Sequence, residues 1–150
     1  MRTLFVIPMV FVLAACGGED EGSTAPLTNA DFAPELNVDL SAMTRTASGL
    51  YLQDLQVGAG DEAVAGTTVS VRYEGWFPNG TTFDSNEAYG FPLGAGLVIP
   101  GWDEGVVGMR VGGIRKLVIP PHLAYGAAGR GSIPSNATLV FDIELLSVTP

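Results

Sequence analysis

The sequence predicts an α+β domain in which an antiparallel sheet uses one short helix as its core. Three features carry that expectation. Apolar side chains alternate with polar ones at Val69, Val71 and Tyr73, and again at Leu139, Phe141, Ile143 and Leu145, which is the period of half-buried strands. The connections between strand-like segments are mostly too short for parallel crossovers. Downstream of Gly49 only one stretch has strong helical spacing: Pro100 presets a helical φ, and Trp102, Val106 and Met109 follow at helical intervals. Asp103 and Glu104 fall in its first turn, where the helix dipole favours carboxylates, and Gly108 ends it. So short a helix is not stable alone, so the strands on either side must pack on it.

Ahead of the domain, Arg2 and the apolar run Leu4 to Ala15 have the charged and hydrophobic parts of an export leader, too short to span a bilayer. The run ends in Leu13-Ala14-Ala15-Cys16, which resembles the lipobox of bacterial lipoproteins, where small residues precede the cut and lipid alkylates the cysteine. That resemblance implies a lipoprotein signal peptide over residues 1–15 and a membrane anchor through lipid on Cys16. It also implies a periplasm-facing place in the cell envelope, at the outer membrane rather than the inner because no Asp follows Cys16. The alternative is an ordinary leader whose cleavage site happens to contain a cysteine. Cys16 is the sole cysteine, so no internal disulfide is possible.

Residues 16–47 read as a tether and arm. Gly17 to Pro26 has three consecutive acids and no large apolar residue, which predicts a flexible linker. Thr28 to Thr46 carries Phe32, Leu36, Val38, Leu40 and Met43 without a clean period and is interrupted by Pro34, which predicts a loosely ordered arm. Residues 48–150 then suffice for one compact domain with a modest core. Seven basic against 16 acidic side chains give a net charge of −9, which makes nucleic acid an unsuitable partner; much of the excess lies in the tether and arm and reads as solvation.

Within the domain, Leu50 to Val57 alternates with a phase slip near Asp54, the pattern of a strand with a bulge. Thr68 to Trp76 is a second strand, closed by a Pro78-Asn79-Gly80 turn. Thr82 to Ser85 and Gly90 to Leu93 read as two short strands, Val111 to Ile119 as a longer one stopped by Pro120-Pro121, Ala124 to Pro134 as a long flexible loop, and Ala137 to Val148 as the last strand.

Several of these segments form a recognisable set: Val71-Arg72-Tyr73-Glu74-Gly75, Thr82-Phe83-Asp84-Ser85, Phe91-Pro92-Leu93-Gly94, Val98-Ile99-Pro100-Gly101-Trp102-Asp103-Glu104-Gly105, Ala124-Tyr125-Gly126, and Ala137 to Leu146. In order and spacing, from about Leu50 to Val148, they resemble the FKBP-type peptidyl-prolyl cis/trans isomerases. The resemblance implies an antiparallel half-barrel of five or six strands wrapped around the short helix, with the site between helix and sheet. It implies Trp102 as the floor under a substrate proline, Tyr73, Phe83, Tyr89 and Phe141 as walls, and Val98, Ile99 and Ile133 at the rim. It further implies that Ile99 N–H and the Tyr125 hydroxyl meet substrate carbonyls and that Asp84 hydrogen-bonds within the pocket. Proline-containing polypeptides are the implied partners and FKBP-type macrolides the implied inhibitors, with no cofactor and no metal. Phe91, on the apparent opposite face of its strand, is expected to be core. This chain departs from single-domain eukaryotic members in the short Ser85 to Ala88 segment, where no basic residue faces Asp84, so Asp84 is expected to lean on Tyr73. The loop after Tyr125 is also about one residue short, with Arg130, Gly131 and Ser132 before Ile133, and substrate preference does not carry over.

The reaction can be argued from its physics. Amide resonance sets a rotation barrier of about 18–20 kcal/mol, so X-Pro bonds exchange in tens to hundreds of seconds unaided. A planar amide is more polar than a twisted one, so a dry aromatic pocket penalises the ground state, and hydrogen bonds that fit only the twisted form add to this. Removing about 5 kcal/mol shortens minutes to roughly ten milliseconds. The competing reading is a membrane-tethered, non-catalytic module that holds proline-containing chains in the same groove. Other chemistries have little support: His122 is the only histidine and lies far from Cys16, Gly94-Ala95-Gly96 lacks a βαβ setting, and Ser85 has no base nearby in sequence.

Overall fold

The computed structural model describes residues 26–150; the expected leader, Cys16 and most of the tether lie outside the described residues. Six strands form one open sheet: β1 (Thr44–Arg45), β2 (Tyr51–Gln56), β3 (Thr68–Trp76), β4 (Thr82–Pro92), β5 (Ile114–Ile119) and β6 (Leu139–Thr149), with helix α1 (Pro100–Gly105) between β4 and β5. The order is β1-β2-β5-β6-β3-β4, and every neighbouring pair is antiparallel. The expected slip in the first long strand is a register shift between Asp54 and Gln56.

The helix sits on the inner face of the sheet because two glycines let it approach. A Cβ at Gly101 would lie 2.6 Å from Ile119 Cγ2, and one at Gly105 would lie 2.7 Å from Leu117 Cδ1. Around this contact Val69, Val71, Trp102, Val106, Leu117, Leu139, Ile143 and Leu145 form the main core. Arg115, buried on β5, ties the far end of α1 to the sheet: it pairs with Asp54 (2.7 and 3.2 Å) and donates to the carbonyls of Gly105 (2.9 Å) and Val107 (3.1 Å). The helix is shorter than its apolar spacing suggested, ending at Gly105; Gly108 then turns the chain with φ +88°.

Three expectations need correction. Thr82 to Ser85 and Gly90 to Leu93 belong to one continuous strand, β4, whose register against β3 slips between Val71 and Tyr73 and so absorbs one extra residue near Glu87. The arm is not loose. Two 3₁₀ turns, Asn29–Asp31 and Pro34–Leu36, lay Phe32, Leu36 and Met43 on Val118 and Val140 of the outer face, and Ala33 N–H bonds the Pro78 carbonyl at 2.7 Å. The ordered unit therefore begins well before residue 48, with β1 joining its edge. The loop after Tyr125 is fixed rather than flexible: Arg130 and Ile133 exchange two backbone hydrogen bonds of 2.9 Å, and Asn136 N–H bonds the Gly126 carbonyl at 2.9 Å.

Candidate active site

Between α1 and the inner face of the sheet lies a pocket of about 720 Å³. All ten residues expected in a proline site line it: Tyr73, Phe83, Asp84, Tyr89, Val98, Ile99, Trp102, Tyr125, Ile133 and Phe141. Their convergence follows from register. Gly75 on β3 stands opposite Asp84 on β4 and Phe141 on β6. With no Cβ, Gly75 leaves space that Phe141 and Phe83 fill; an added methyl would meet them at 2.7 and 2.8 Å. Trp102 comes from the first turn of α1. Its ring meets Tyr73 edge-on at 4.7 Å between centroids and Phe141 at 5.3 Å, and Phe141 meets Phe83 at 5.4 Å. Edge-to-face contacts of this kind fix ring orientation as well as burying area.

Beside the rings, the lining carries polar side chains: Asp84, Arg130, Ser132 and the phenols Tyr73, Tyr89 and Tyr125. The Tyr73 hydroxyl donates to Asp84 Oδ2 at 2.7 Å. Burial, and then that hydrogen bond to a carboxylate, raise the Tyr73 pKa well above its ordinary value, so the phenol stays protonated. Trp102 is buried, and its indole Nε1 finds no acceptor among the described residues. Ile99 caps α1 with its carbonyl, which accepts from Trp102 N–H at 2.9 Å, while its own N–H makes no hydrogen bond among the described residues. Asp103 does not face the pocket chemistry; it holds the preceding loop by accepting from Gly94 N–H (2.8 Å) and Gly96 N–H (3.0 Å).

Phe91 is core, but on a different face from the one expected. It stacks on Tyr89 at 5.8 Å and tilts against Trp102 at 5.6 Å, so it supports the pocket from beneath. The lining also includes Gly96, Leu97, Arg130, Gly131 and Ser132, which were not expected as site residues. Leu97 is 70% exposed, and an apolar side chain that stays in water at a pocket rim is the signal that could have marked it.

A model of the FKBP-type peptidyl-prolyl cis-trans isomerase domain matches residues 60–146. The chain belongs to this family. An FK506-binding protein of Neisseria meningitidis serogroup B is 52% identical over 105 residues, covering 67% of this chain and 96% of the relative. An FK506-binding protein 4 of Gibberella zeae is 47% identical over 107 residues, covering 69% of this chain but only 22% of that longer protein. Among solved structures, FkpA from Escherichia coli aligns with a TM-score of 0.70 and 42% identity, over 77% of this chain and 55% of that one. A peptidyl-prolyl cis-trans isomerase from Pseudomonas syringae aligns with a TM-score of 0.69 and 34% identity, over 81% and 91%. The FKBP fold and the isomerase activity expected from the sequence are thus those of this protein: it is an enzyme that accelerates cis/trans exchange at X-Pro bonds.

Proposed function

We propose that this isomerase works by taking the X-Pro amide out of water and favouring its twisted form, without proton transfer. The observation that carries the reading is the state of Asp84, the only carboxylate lining the pocket among the described residues: it already accepts the hydroxyl of a protonated Tyr73. In this reading the proline ring rests on Trp102 between Tyr73, Phe83, Tyr89 and Phe141, and Val98 and Ile133 close the rim. Rotation moves the carbonyl of the preceding residue relative to the ring. The unpartnered Ile99 N–H and the Tyr125 hydroxyl are the donors in reach of substrate carbonyls, and they orient a chain that the apolar walls desolvate. FK506-type macrolides, the ligands in the relatives' names, suit the same pocket as proline mimics.

Trp102→Leu tests the site directly. It preserves apolar volume better than Trp102→Ala, so the variant should remain folded by circular dichroism. Isomerisation of a short X-Pro peptide should slow by up to about tenfold, with weaker macrolide binding, as the lost aromatic contacts allow. Unchanged turnover would remove Trp102 from the site.

The clients in this reading are exported chains, and the enzyme is held at the envelope by lipid on Cys16, facing the periplasm from the outer membrane. Support comes from the Leu13-Ala14-Ala15-Cys16 motif. Lipoprotein processing adds more than one acyl chain, enough for stable anchoring. Cys16→Ser should therefore shift the protein to the soluble fraction with its fold and turnover intact, and retention of Cys16→Ser on membranes would refute the anchor.

A further inference from the structure

The hairpin tip between β1 and β2, residues 46–50, lies outside the stretch matched to the family model, yet it touches both α1, which carries Trp102, and the turn that leads into Tyr125. Ser48 Oγ lies 2.6 and 2.8 Å from the two carboxylate oxygens of Glu104, two residues beyond Trp102 on α1. The Ser48 carbonyl lies 2.6 Å from His122 Nε2, which donates to it, three residues before Tyr125. The protons can be assigned by chemistry. A carboxylate only accepts, so the single Ser48 proton goes to Glu104; Thr46 Oγ1, 2.8 Å from Ser48 Oγ, must then donate to Ser48 and in turn accepts from Leu50 N–H at 3.2 Å. The result is a one-way chain of hydrogen bonds from the hairpin backbone into the helix, and its members polarise one another. Gly49 shapes the tip: its φ of +97° is a backbone conformation that a side chain would strain.

Arg115 and Asp103 hold the two ends of α1, but among the described residues only Ser48 hydrogen-bonds both to α1 and to the segment leading into Tyr125. We propose that Ser48 is a positioning residue for the isomerase: it latches α1 and the Pro121–Leu123 turn to one point and so sets Trp102 and Tyr125 in register. This rests on the assignment of those two residues to the site. Ser48 touches no substrate; it acts through Glu104 and His122.

The test compares Ser48→Ala, Ser48→Thr, Glu104→Gln and the Ser48→Ala/Glu104→Gln double variant in the full chain, with Leu36→Ala on the outer face as a control for lost stability. Ser48→Ala should lower kcat by about three- to tenfold while KM for an X-Pro peptide moves less than about twofold, because a misplaced constellation costs turnover more than ground-state binding. Ser48→Thr, which keeps the hydroxyl, should restore most of that loss, and the double variant should be no worse than the more impaired single one. In a Trp76→Phe background, where Trp102 is the only indole, Ser48→Ala should make its fluorescence more accessible to acrylamide. Leu36→Ala should lose stability with kcat unchanged. The latch is overturned if Ser48→Ala keeps kcat, if Ser48→Thr is as impaired as Ser48→Ala, or if Leu36→Ala loses kcat to the same degree. Failure of the underlying site would show separately, as Trp102→Leu without effect on turnover.

Discussion

The two faces of β5 and β6 both carry buried apolar side chains and put them to different uses. On the inner face Leu117, Ile119, Phe141 and Ile143 meet a six-residue helix that is too small to cover them, and the uncovered remainder is the aromatic pocket. On the outer face Val118 and Val140 are sealed by the chain itself, through Phe32, Leu36 and Met43 of the N-terminal strap. Charges follow the same division. Arg115 on the inner side holds helix carbonyls, whereas Lys116 on the outer side pairs with Asp142 at 2.8 Å and lies 5.6 Å from the Trp76 ring centroid. What distinguishes the aromatic pocket from a core here is therefore how completely the facing element covers the sheet: the strap leaves only a smaller recess on the outer face, lined by Leu36, Trp76, Lys116 and Asp142 among others.

If this division is right, stability and turnover should separate by face. Leu36→Ala, on the strap, should cost about 2–5 kcal/mol of unfolding free energy, the range for truncating a buried leucine, while kcat stays as in the parent. Denaturant unfolding together with a peptide assay checks it, and a matching loss of turnover would break the comparison. Gly101→Ala, on the inner face, should cost less in stability, about 1–3 kcal/mol for overpacking against Ile119, but should slow turnover because α1 must shift and take Trp102 with it. Unfolding and kinetics on the same preparation would show whether the smaller stability loss carries the larger loss of activity.

Much of this architecture was legible in the chain. β3 runs from Thr68 to Trp76 as its alternation requires, the slip near Asp54 is a real register shift, and the ten expected pocket residues do line one cavity. The rest was hidden for identifiable reasons. The middle of β4 is exposed from Asp84 to Gly90, so it has no apolar period; backbone pairing to β3, with the Tyr73–Asp84 and Arg72–Glu87 contacts, keeps it extended. The strap follows 3₁₀ turns of three residues, giving Phe32, Leu36 and Met43 a spacing that fits neither strand nor helix. Main-chain hydrogen bonds that order the loop around Arg130, and the bond from Ser48 to a carboxylate 56 residues away, leave no mark on local sequence.

The central claim, that the pocket acts by desolvation and fit rather than by moving protons, is tested most directly by the pH dependence of kcat/KM in wild type and Asp84→Asn. The raised pKa of Tyr73 means that its protonated form is favoured in the folded state; its hydrogen bond to Asp84 contributes fully below the ordinary phenol pKa of about 10 and is lost only as pH rises past it. Turnover should therefore be nearly flat from about pH 6 to pH 8, and Asp84→Asn should lose only part of it with the profile unchanged. A bell-shaped profile in the wild type, flattened by Asp84→Asn with a loss above about a hundredfold, is what general acid–base catalysis would give, and it would contradict the account.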